Sequence, residues 1–343
     1  MIFDKLRDRK FSSIQFVKFG LRSIFLILVI IATINFLVDP YYQWGYFKVI
    51  DLKRKDFDER IQKTNYLANI NNNYNAILLG NSRSTYLDVR KFDLGVNIFN
   101  SAVNAMSIYE YDQLITNFIK LTGKDPEIIL IGIDHHNFKG DNPKRLETIL
   151  EELTSNSLKL KNLLSLDIFR FSLETIEKTI RVKLNLKDLK QRYYNNQLVK
   201  GNDKENFISN EKYIKDNSTI NEYIVQNELL EEYKRLKNKY SKSKFIIYCL
   251  PFHKDLLDSW IYDIHFYDKN QQFISNLIDI FGEVYYFNYI SKYNSSYTNY
   301  YDKYHFYPFL GNILIDNFNN LQKNRISEWG YLLNKDNYKS FMK

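Results

Sequence analysis

Two short patterns, far apart in the 343-residue chain, contain residue types that act together in nucleophilic catalysis. The first is the block LLGNSRST, in which Gly80-Asn81-Ser82 follows a short apolar run. A glycine permits tight backbone geometry, and a serine at the carboxyl end of a strand projects above the sheet. If a helical turn follows, its first amides point at an incoming oxyanion. A strand that merely ends in a helix cap gives the same pattern, so the block alone leaves both interpretations open.

The second pattern is Asp302-Lys303-Tyr304-His305, near the other end of the chain. Residues three apart on a turn face the same side, so the aspartate can accept the Nδ1–H of the histidine. That bond fixes the tautomer and leaves Nε2 free to take a proton from a serine hydroxyl. A solvated or capping surface pair has the same spacing. The two patterns together, in this order and with strands between them, are more specific than either alone.

Histidines beside two predicted strands raise the alternative of a metal site at the sheet edge. Asp134, His135 and His136 follow one strand, and His253 follows another. Adjacent histidines on an extended segment point to opposite sides, so at most one of the pair joins a site directly. A substrate contact or a hydrogen-bonded loop explains these residues as well. We expect no metal and no cofactor, and the absence of a GxxxxGK[ST] or GxGxxG pattern gives nucleotide binding no support.

Short apolar runs and longer helical patterns alternate along the soluble part of the chain. The runs are nearly continuous in apolarity, as strands covered on both faces of a parallel sheet should be. The alternation predicts an α/β three-layer sandwich over residues 75–330, with a mostly parallel sheet of about five strands. The predicted strands are 76–79, 96–99, 128–133, 245–250 and 284–287, and the helical patterns are 107–121, 220–240, 271–281 and 309–321.

Residues 137–218 break this alternation with polar sequence around helix-like patches such as 163–184. The interval has no strand pattern, so we interpret it as an insertion or cap between the third and fourth strands. Such a cap would sit above the carboxyl edge of the sheet, where open α/β folds bind ligands. Residues 331–343 are expected to form a C-terminal tail.

Residues 24–38 carry no charge, and the basic segment 1–22 before them has six basic and two acidic residues. Fifteen residues cover only about 22 Å of a hydrocarbon core of about 30 Å, but apolar residues before the run extend it. With no small-x-small cleavage site, the pattern predicts an uncleaved transmembrane signal anchor at 23–40 and a juxtamembrane segment at 41–74. The positive-inside tendency then places the soluble domain outside the cytoplasm, on a single-pass protein of the cell membrane. A buried amphipathic helix of a soluble protein is the alternative.

Composition excludes several classes of protein. With 45% hydrophobic and 26% charged residues, the chain can bury a sizeable core and is not globally disordered. A single cysteine, Cys249, rules out an internal disulfide and a multi-cysteine metal site. The net charge is +8, and the first 22 residues supply half of it, so the rest is too weakly basic to suggest a nucleic-acid partner.

In four places the chain resembles membrane-anchored members of the SGNH (GDSL-like) hydrolase superfamily. The similar branch contains cell-envelope acyl-transfer proteins related to the alginate O-acetylation factors and to the D-alanyl transfer protein of teichoic acids. The resemblance implies a flavodoxin-like sheet, with Ser82 as nucleophile, His305 as general base and Asp302 as its orienting carboxylate. The four places are the anchor with VDPY at 38–41, ILLGNSRS at 77–84, ILIGID at 129–134 and DKYH at 302–305.

The resemblance implies a serine acyltransferase or esterase that moves a short acyl group, acetyl above all, to or from a cell-envelope polysaccharide. The polysaccharide or an acyl donor would be the substrate, and a multi-pass membrane protein would deliver the acyl group. A simple hydrolase that releases acetate is a variant of the same chemistry. The alternative from another class is a binding or assembly module that kept the fold and lost its activity.

Two departures from the family pattern motivate that alternative. The second block of the family offers a glycine amide to the oxyanion hole, whereas this chain reads NSAVNAM at 100–106. The third block offers an asparagine, whereas this chain has Asp134, a carboxylate that repels an oxyanion unless it is protonated or turned away. We expect Asn104 to replace the missing donor, and Arg83, Asp134 and His253 to be further oxyanion or substrate contacts.

Overall fold

The computed structural model describes residues 12–45, 52, 54, 57–69, 73–133, 156–184, 192–194, 197–199, 227–261, 264–302 and 304–341. Strands and helices alternate through most of the soluble part, as the sequence pattern predicts. The helices are α1 (Ser13–Val38), α2 (Glu59–Asn69), α3 (Tyr111–Thr122), α4 (Asn156–Leu163), α5 (Leu166–Lys183), α6 (Asn227–Lys239), α7 (Lys254–Ile261), α8 (Ile264–Phe281), α9 (Pro308–Gln322) and α10 (Tyr338–Phe341). The strands are β1 (Ala76–Leu79), β2 (Ile98–Asn100), β3 (Ile128–Ile133), β4 (Arg192–Tyr194), β5 (Gln197–Val199), β6 (Lys244–Cys249), β7 (Glu283–Tyr286) and β8 (Tyr331–Asn334).

Six of these strands form the main sheet, in the spatial order β2-β1-β3-β6-β7-β8. The five predicted strands are all present and run parallel to one another. The chain passes from β1 to β2 on one side and then to β3 on the other, so the strand order reverses beside β1. Open α/β sheets bind ligands outside the carboxyl ends of the strands at such a reversal. The residues that follow Leu79 therefore lie at the favoured ligand position.

Apolar side chains from the two faces of the sheet enter two separate hydrophobic clusters. Along β1, Ile77 and Leu79 belong to one cluster, while Ala76 and Leu78 belong to the other. All four are fully buried, as the unbroken apolarity of the run predicts. The first cluster also contains side chains of α3, α6 and α8, and the second contains side chains of α9.

The sixth strand lies in a part of the chain that was expected to be a tail. β8 pairs antiparallel with β7, with Leu333 opposite Val284. Both side chains are buried at the sheet edge. The strand has four residues, and only Leu333 is buried. Four residues are too few to show a clear alternation of apolar and polar side chains, so the sequence pattern did not reveal the strand. Residues 331–334 thus belong to the sheet.

The described part of the 137–218 interval differs from the expectation in two ways. It contains a short antiparallel hairpin, β4–β5, although the sequence pattern had indicated no strand. Its helices α4 and α5 have extensive contacts with α1, and none as extensive with the strands of the main sheet. Strand β4 does lie against the turn at Ser82–Tyr86, so this small part of the interval reaches the carboxyl edge of the sheet.

Helix α1 is long and apolar enough to cross a membrane, with a mean hydropathy of 2.4 over its most apolar stretch. Its 26 residues span about 39 Å at the rise of an α-helix. It begins ten residues before the predicted anchor because Ser12 and Gln15 form a capping box at its start. Most of its apolar side chains are exposed, and its buried residues are Ile31, Asn35 and Val38.

Candidate active site

The sharp turn after β1 places Ser82 at the start of a short 3₁₀ helix, Ser82–Tyr86. The Asn81 side chain caps this helix by accepting the N–H of Arg83 at 3.1 Å. Gly80 has a φ of +153°, and a Cβ there would collide with the Ser84 hydroxyl. Gly132, on the neighbouring strand β3, leaves room for the same hydroxyl. The sequence Gly-Asn-Ser therefore positions the serine hydroxyl at the carboxyl end of β1.

Asp302 and His305 lie in a tight loop whose ends are joined by a bridge between Tyr300 and Phe306. The Tyr301 N–H donates to the His305 carbonyl oxygen at 2.8 Å and closes the loop. The Asp302 Oδ1 atom accepts the N–H groups of Tyr304 and His305, each at 2.7 Å. These two bonds turn the backbone so that the side chains three residues apart face each other, as the spacing predicts.

The structure brings Ser82, His305 and Asp302 together in one hydrogen-bonded chain. Ser82 Oγ lies 2.8 Å from His305 Nε2, and His305 Nδ1 lies 2.9 Å from Asp302 Oδ2. An ionised carboxylate can only accept hydrogen bonds, so Nδ1 of His305 carries the proton and donates a hydrogen bond to Asp302. Nε2 then accepts the Ser82 O–H. The side chains of His305 and Asp302 are each 28% exposed, so the site opens to solvent.

Asp302 is held in its charged form, although burial by itself favours the neutral acid. Burial raises the pKa of the carboxyl group, but the hydrogen bond and charge of His305 outweigh this effect, together with the N–H groups of His305 and Tyr304. The net pKa lies below its ordinary value of 3.8. Asp302 therefore stays ionised at neutral pH and stabilises the positive charge that His305 acquires when it takes a proton.

Tyr86 and Gly311 join the serine turn to the histidine loop. The Tyr86 ring packs against the rings of His305 and Phe306, with centroids 5.9 and 6.0 Å apart. Helix α9 follows the histidine loop and approaches the Tyr86 carbonyl oxygen at Gly311, where a Cβ would lie 2.7 Å from that oxygen. This close approach fixes the distance between the two segments that carry Ser82 and His305.

Asn104 does not offer its backbone amide to the site. Its N–H donates to the Glu59 carboxylate at 2.6 Å. The three amides before it are also engaged, so the second block has no free N–H between 101 and 104. The acceptors are the Leu78 carbonyl for Ser101, the Asn100 side chain for Ala102, and the Gly80 carbonyl for Val103.

The Ser82 N–H is a candidate donor for an oxyanion. It is the first amide of a helical turn, a position with no partner inside the helix. Among the residues that the structure describes, no acceptor pairs with it. A reacting carbonyl oxygen above Ser82 can therefore receive this hydrogen bond.

Arg83 and His253, both expected to contact substrate, are fully buried. The Arg83 guanidinium donates to the Pro251 carbonyl oxygen and lies over the Phe252 ring, 3.7 Å from its centroid. His253 stacks on Tyr297 at 4.5 Å, and its Nδ1 accepts the Asp255 N–H at 3.2 Å. Both side chains are therefore enclosed by other residues and are not exposed at the protein surface. Their place after strand ends misled the prediction because those strand ends are covered by the 297–306 segment.

Asp134, His135 and His136 lie outside the described residues. The expected contact of Asp134 with an oxyanion therefore stays a prediction. Within the described ranges, no group of three or more His, Cys, Asp and Glu side chains is arranged to hold a metal ion.

Helix α2 supports the second block, a role that no sequence pattern indicated. The Lys63 ammonium is buried and donates to the carbonyl oxygens of Asn100, at 3.0 Å, and Ala102. Glu59 binds the Asn104 amide, as described above. Arg60 pairs with both carboxylate oxygens of Glu110, at 2.6 and 2.8 Å. Isolated charged residues in the polar stretch after α1 gave no signal for this, since their partners are backbone atoms and one carboxylate that are distant in sequence.

The same helix also binds the residues that follow α1. The Gln62 side chain donates to the Pro40 carbonyl at 2.8 Å, and the Asn65 side chain donates to the Tyr41 carbonyl at 3.0 Å. The Asp39 carboxylate turns this segment by accepting the N–H groups of Gln43 and Trp44. The VDPY motif is thus part of a structural connection between α1 and α2.

No family model, curated protein or solved structure matches the chain when it is compared with them.

Proposed function

We propose that the chain is a membrane-anchored serine acyltransferase or esterase that acts on O-acyl groups, acetyl above all, of a cell-envelope polysaccharide. The observation that carries the proposal is the chain Ser82–His305–Asp302, with contacts of 2.8 and 2.9 Å. Its support is geometric: the nucleophile lies at the strand-order reversal beside β1, and the base is oriented by an ionised carboxylate.

The wider setting belongs to the same proposal. The four sequence blocks support the SGNH resemblance. That resemblance implies a three-layer architecture and a multi-pass membrane protein that delivers the acyl group. A single-pass anchor at α1, with the soluble domain outside the cytoplasm, is supported by the length and hydropathy of that helix and by the six basic residues before residue 23.

The proposed reaction proceeds through an acyl-enzyme. His305 Nε2 takes the Ser82 proton while Oγ bonds to the acyl carbonyl carbon, and the Ser82 N–H stabilises the oxyanion. The intermediate collapses when the donor oxygen leaves with the proton from His305, and the acyl group remains on Ser82. A sugar hydroxyl then gives its proton to His305 and attacks the acyl-enzyme. Ser82 regains a proton as the acylated sugar leaves. Water in place of the sugar makes the protein an esterase.

A catalytically inactive binding or assembly module is the second candidate. It is favoured by the engagement of the four backbone amides at 101–104, which removes these N–H groups from the set of oxyanion donors. Loss of one oxyanion donor costs about 2.7 to 4 kcal/mol of transition-state stabilisation. A slow enzyme and an inactive module are therefore distinguished by whether Ser82 reacts at all.

Fluorophosphonate labelling of the purified full-length protein tests the proposal. We expect covalent labelling of the wild type and none of the Ser82→Ala variant. Ser84→Ala is the matched control, since Ser84 lies on the same turn but is fully buried. Absence of labelling in folded wild-type protein across a broad pH range would favour the inactive module. With an acetyl donor, free acetate in the presence of a sugar acceptor would indicate hydrolysis and not transfer.

A further inference from the structure

A buried asparagine of α1, Asn35, binds the α4–α5 segment by hydrogen bonds. The Asn35 side-chain amide donates to the carbonyl oxygens of Asn162, Leu163 and Ser165, at 2.9 to 3.3 Å. Its Oδ1 atom accepts the Ser172 hydroxyl at 3.0 Å. Every polar atom of the Asn35 side chain is thus satisfied by the α4–α5 segment. An asparagine inside an apolar helix needs such partners, so α4–α5 and α1 form one unit.

Helix α5 buries one face against α1 and exposes a second apolar face. The buried face consists of Ile168, Ser172, Thr175 and Thr179, spaced three and four residues apart. On a side of α5 turned away from this buried face lies an exposed line of large aliphatic side chains, which we call the apolar stripe. Its members are Leu166 (70% exposed), Leu173 (47%), Ile180 (51%) and Leu184 (63%).

Helix α5, which carries the apolar stripe, packs against the part of the chain that would cross a membrane. The residues of α1 buried in the unit, Ile31, Asn35 and Val38, all belong to the uncharged run 24–38. The apolar side chains around them, such as Val29 and Leu37, are exposed by 42% and 45%. If α1 crosses a bilayer, α5 begins next to the C-terminal end of the span, where Asn35 binds the α4–α5 segment.

We propose that the apolar stripe of α5 lies in the bilayer at the boundary between headgroups and acyl chains, beside α1. The inference rests on the proposed membrane anchoring by α1 but not on the acyl-transfer chemistry. A helix with one apolar and one strongly charged face binds at this depth. α5 thereby holds the soluble domain close to the membrane surface, as a second contact in addition to the span.

The charges of this segment fit a headgroup layer. Residues 156–184 have six basic and three acidic side chains, and the excess of positive charge suits anionic lipid. Two of the basic residues on α5 pair with acidic neighbours one turn away, Arg170 with Glu174 and Arg181 with Glu177. Their side chains are 65% and 55% exposed, on the face away from α1. Long basic side chains can reach headgroups while the stripe contacts acyl chains.

Lipid contact can be measured in liposomes that contain the full-length protein as the only protein. The native Cys249 is buried and is replaced by serine, and single cysteines then carry an environment-sensitive fluorophore. The matched pair is Ile180→Cys and Arg181→Cys, which are neighbours at the same depth but on different faces. Leu173→Cys and Glu174→Cys, again adjacent residues on different faces, form an independent second pair. Leu26→Cys in α1 is the positive control for lipid contact in the span. Ile326→Cys is the control for a water-exposed position, since this side chain is 95% exposed.

We expect lipids with a spin label on the acyl chain to quench the fluorophore at 180 and 173 several-fold more than at 181 and 174. Equal quenching within both pairs, with strong quenching at 26, would overturn the proposal and leave the anchor intact. No quenching at 26 would remove the anchor and the stripe contact together. A third outcome is a fluorophore at 180 that is shielded from water but not quenched, together with disulfide cross-linking between two copies of the protein at 180. This outcome would assign the stripe to a protein interface and would also overturn the proposal. Fluorophosphonate labelling of Ser82 is read separately on the same samples.

Discussion

The Asp302 carboxylate holds His305 in two ways at the scale of single residues. One oxygen accepts the two backbone N–H groups that shape the loop, and both oxygens lie within 3.1 Å of Nδ1 of the imidazole. Loop geometry and tautomer are therefore set by the same group. An aspartate is required because an amide at this position would present an N–H donor as well as an acceptor.

Replacement of Asp302 by asparagine is expected to lower the acyl-transfer or esterase rate by about 10⁴-fold. The loop can still form, because the amide oxygen accepts the backbone N–H groups, but the imidazole is no longer held with Nε2 free of a proton. The rate is measured with an activated acetyl ester, and circular dichroism checks the fold. A variant that keeps a tenth or more of the wild-type rate would contradict the role of Asp302.

The lowered pKa of Asp302 also makes a prediction about acid stability. Because its pKa is lower in the folded than in the unfolded chain, the unfolded chain binds more protons as the pH falls. The stabilisation is complete above the ordinary value of 3.8 and is lost as the pH falls through the lower folded value. In urea unfolding, wild type should exceed Asp302→Asn in stability at pH 7, and the difference should shrink below pH 3.8. A difference independent of pH would show that the carboxylate charge does not contribute.

At the scale of elements, α2 positions the loop that follows β2. Lys63 is buried against the carbonyl oxygens of that loop, and burial lowers its pKa to about 8, although the charge of Glu59 acts in the opposite direction. Burial therefore disfavours the charged form of Lys63, whereas its two carbonyl acceptors and the Glu59 carboxylate stabilise that form. The loop beside the candidate site thus depends on a helix that comes before the sheet in the chain.

We expect Lys63→Met to destabilise the protein by about 3 to 5 kcal/mol, since it removes the buried one of the two positive neighbours of the buried Glu59. Urea unfolding monitored by tryptophan fluorescence measures the change. The double variant Glu59→Gln/Lys63→Met should lose less than the sum of the two single variants because it removes both charges. Lys335→Ala is the control: its side chain is 68% exposed, and we expect a change within about 0.5 kcal/mol. Additive losses in the double variant would argue against a coupled pair.

Strand β8 completes the whole sheet, because it covers the edge of β7. Leu333 is 1% exposed and belongs to the hydrophobic cluster that contains α8. Leu333→Ala is expected to cost about 2 to 5 kcal/mol, the range for buried leucines. The same denaturation assay tests this value, again with Lys335→Ala as control. A loss below about 0.5 kcal/mol would indicate that the edge strand contributes little to the folded domain.

The sequence predicted those parts of the molecule that depend on local patterns. Unbroken apolar runs revealed the five parallel strands, and the Asp-x-x-His spacing placed Asp302 beside His305. The contact between Ser82 and His305 was inferred from the order of two motifs, and the structure brings these residues together. Burial of Arg83 and His253 was missed, since it depends on the packing of the 297–306 segment. The engagement of Asn104 by Glu59 joins residues 45 positions apart, a pairing that neither propensity nor periodicity indicates.

For the molecule as a whole, the central claim is that Ser82 becomes acylated. Full-length protein is mixed with an activated acetyl ester, quenched in acid within the first turnovers and analysed by peptide mass spectrometry. We expect one added acetyl group on the peptide that contains Ser82 in wild type and in Ser84→Ala. In His305→Ala the modification should be greatly slowed. Acetylation that persists unchanged in His305→Ala, or that occurs on other residues while Ser82 stays unmodified, would contradict the account.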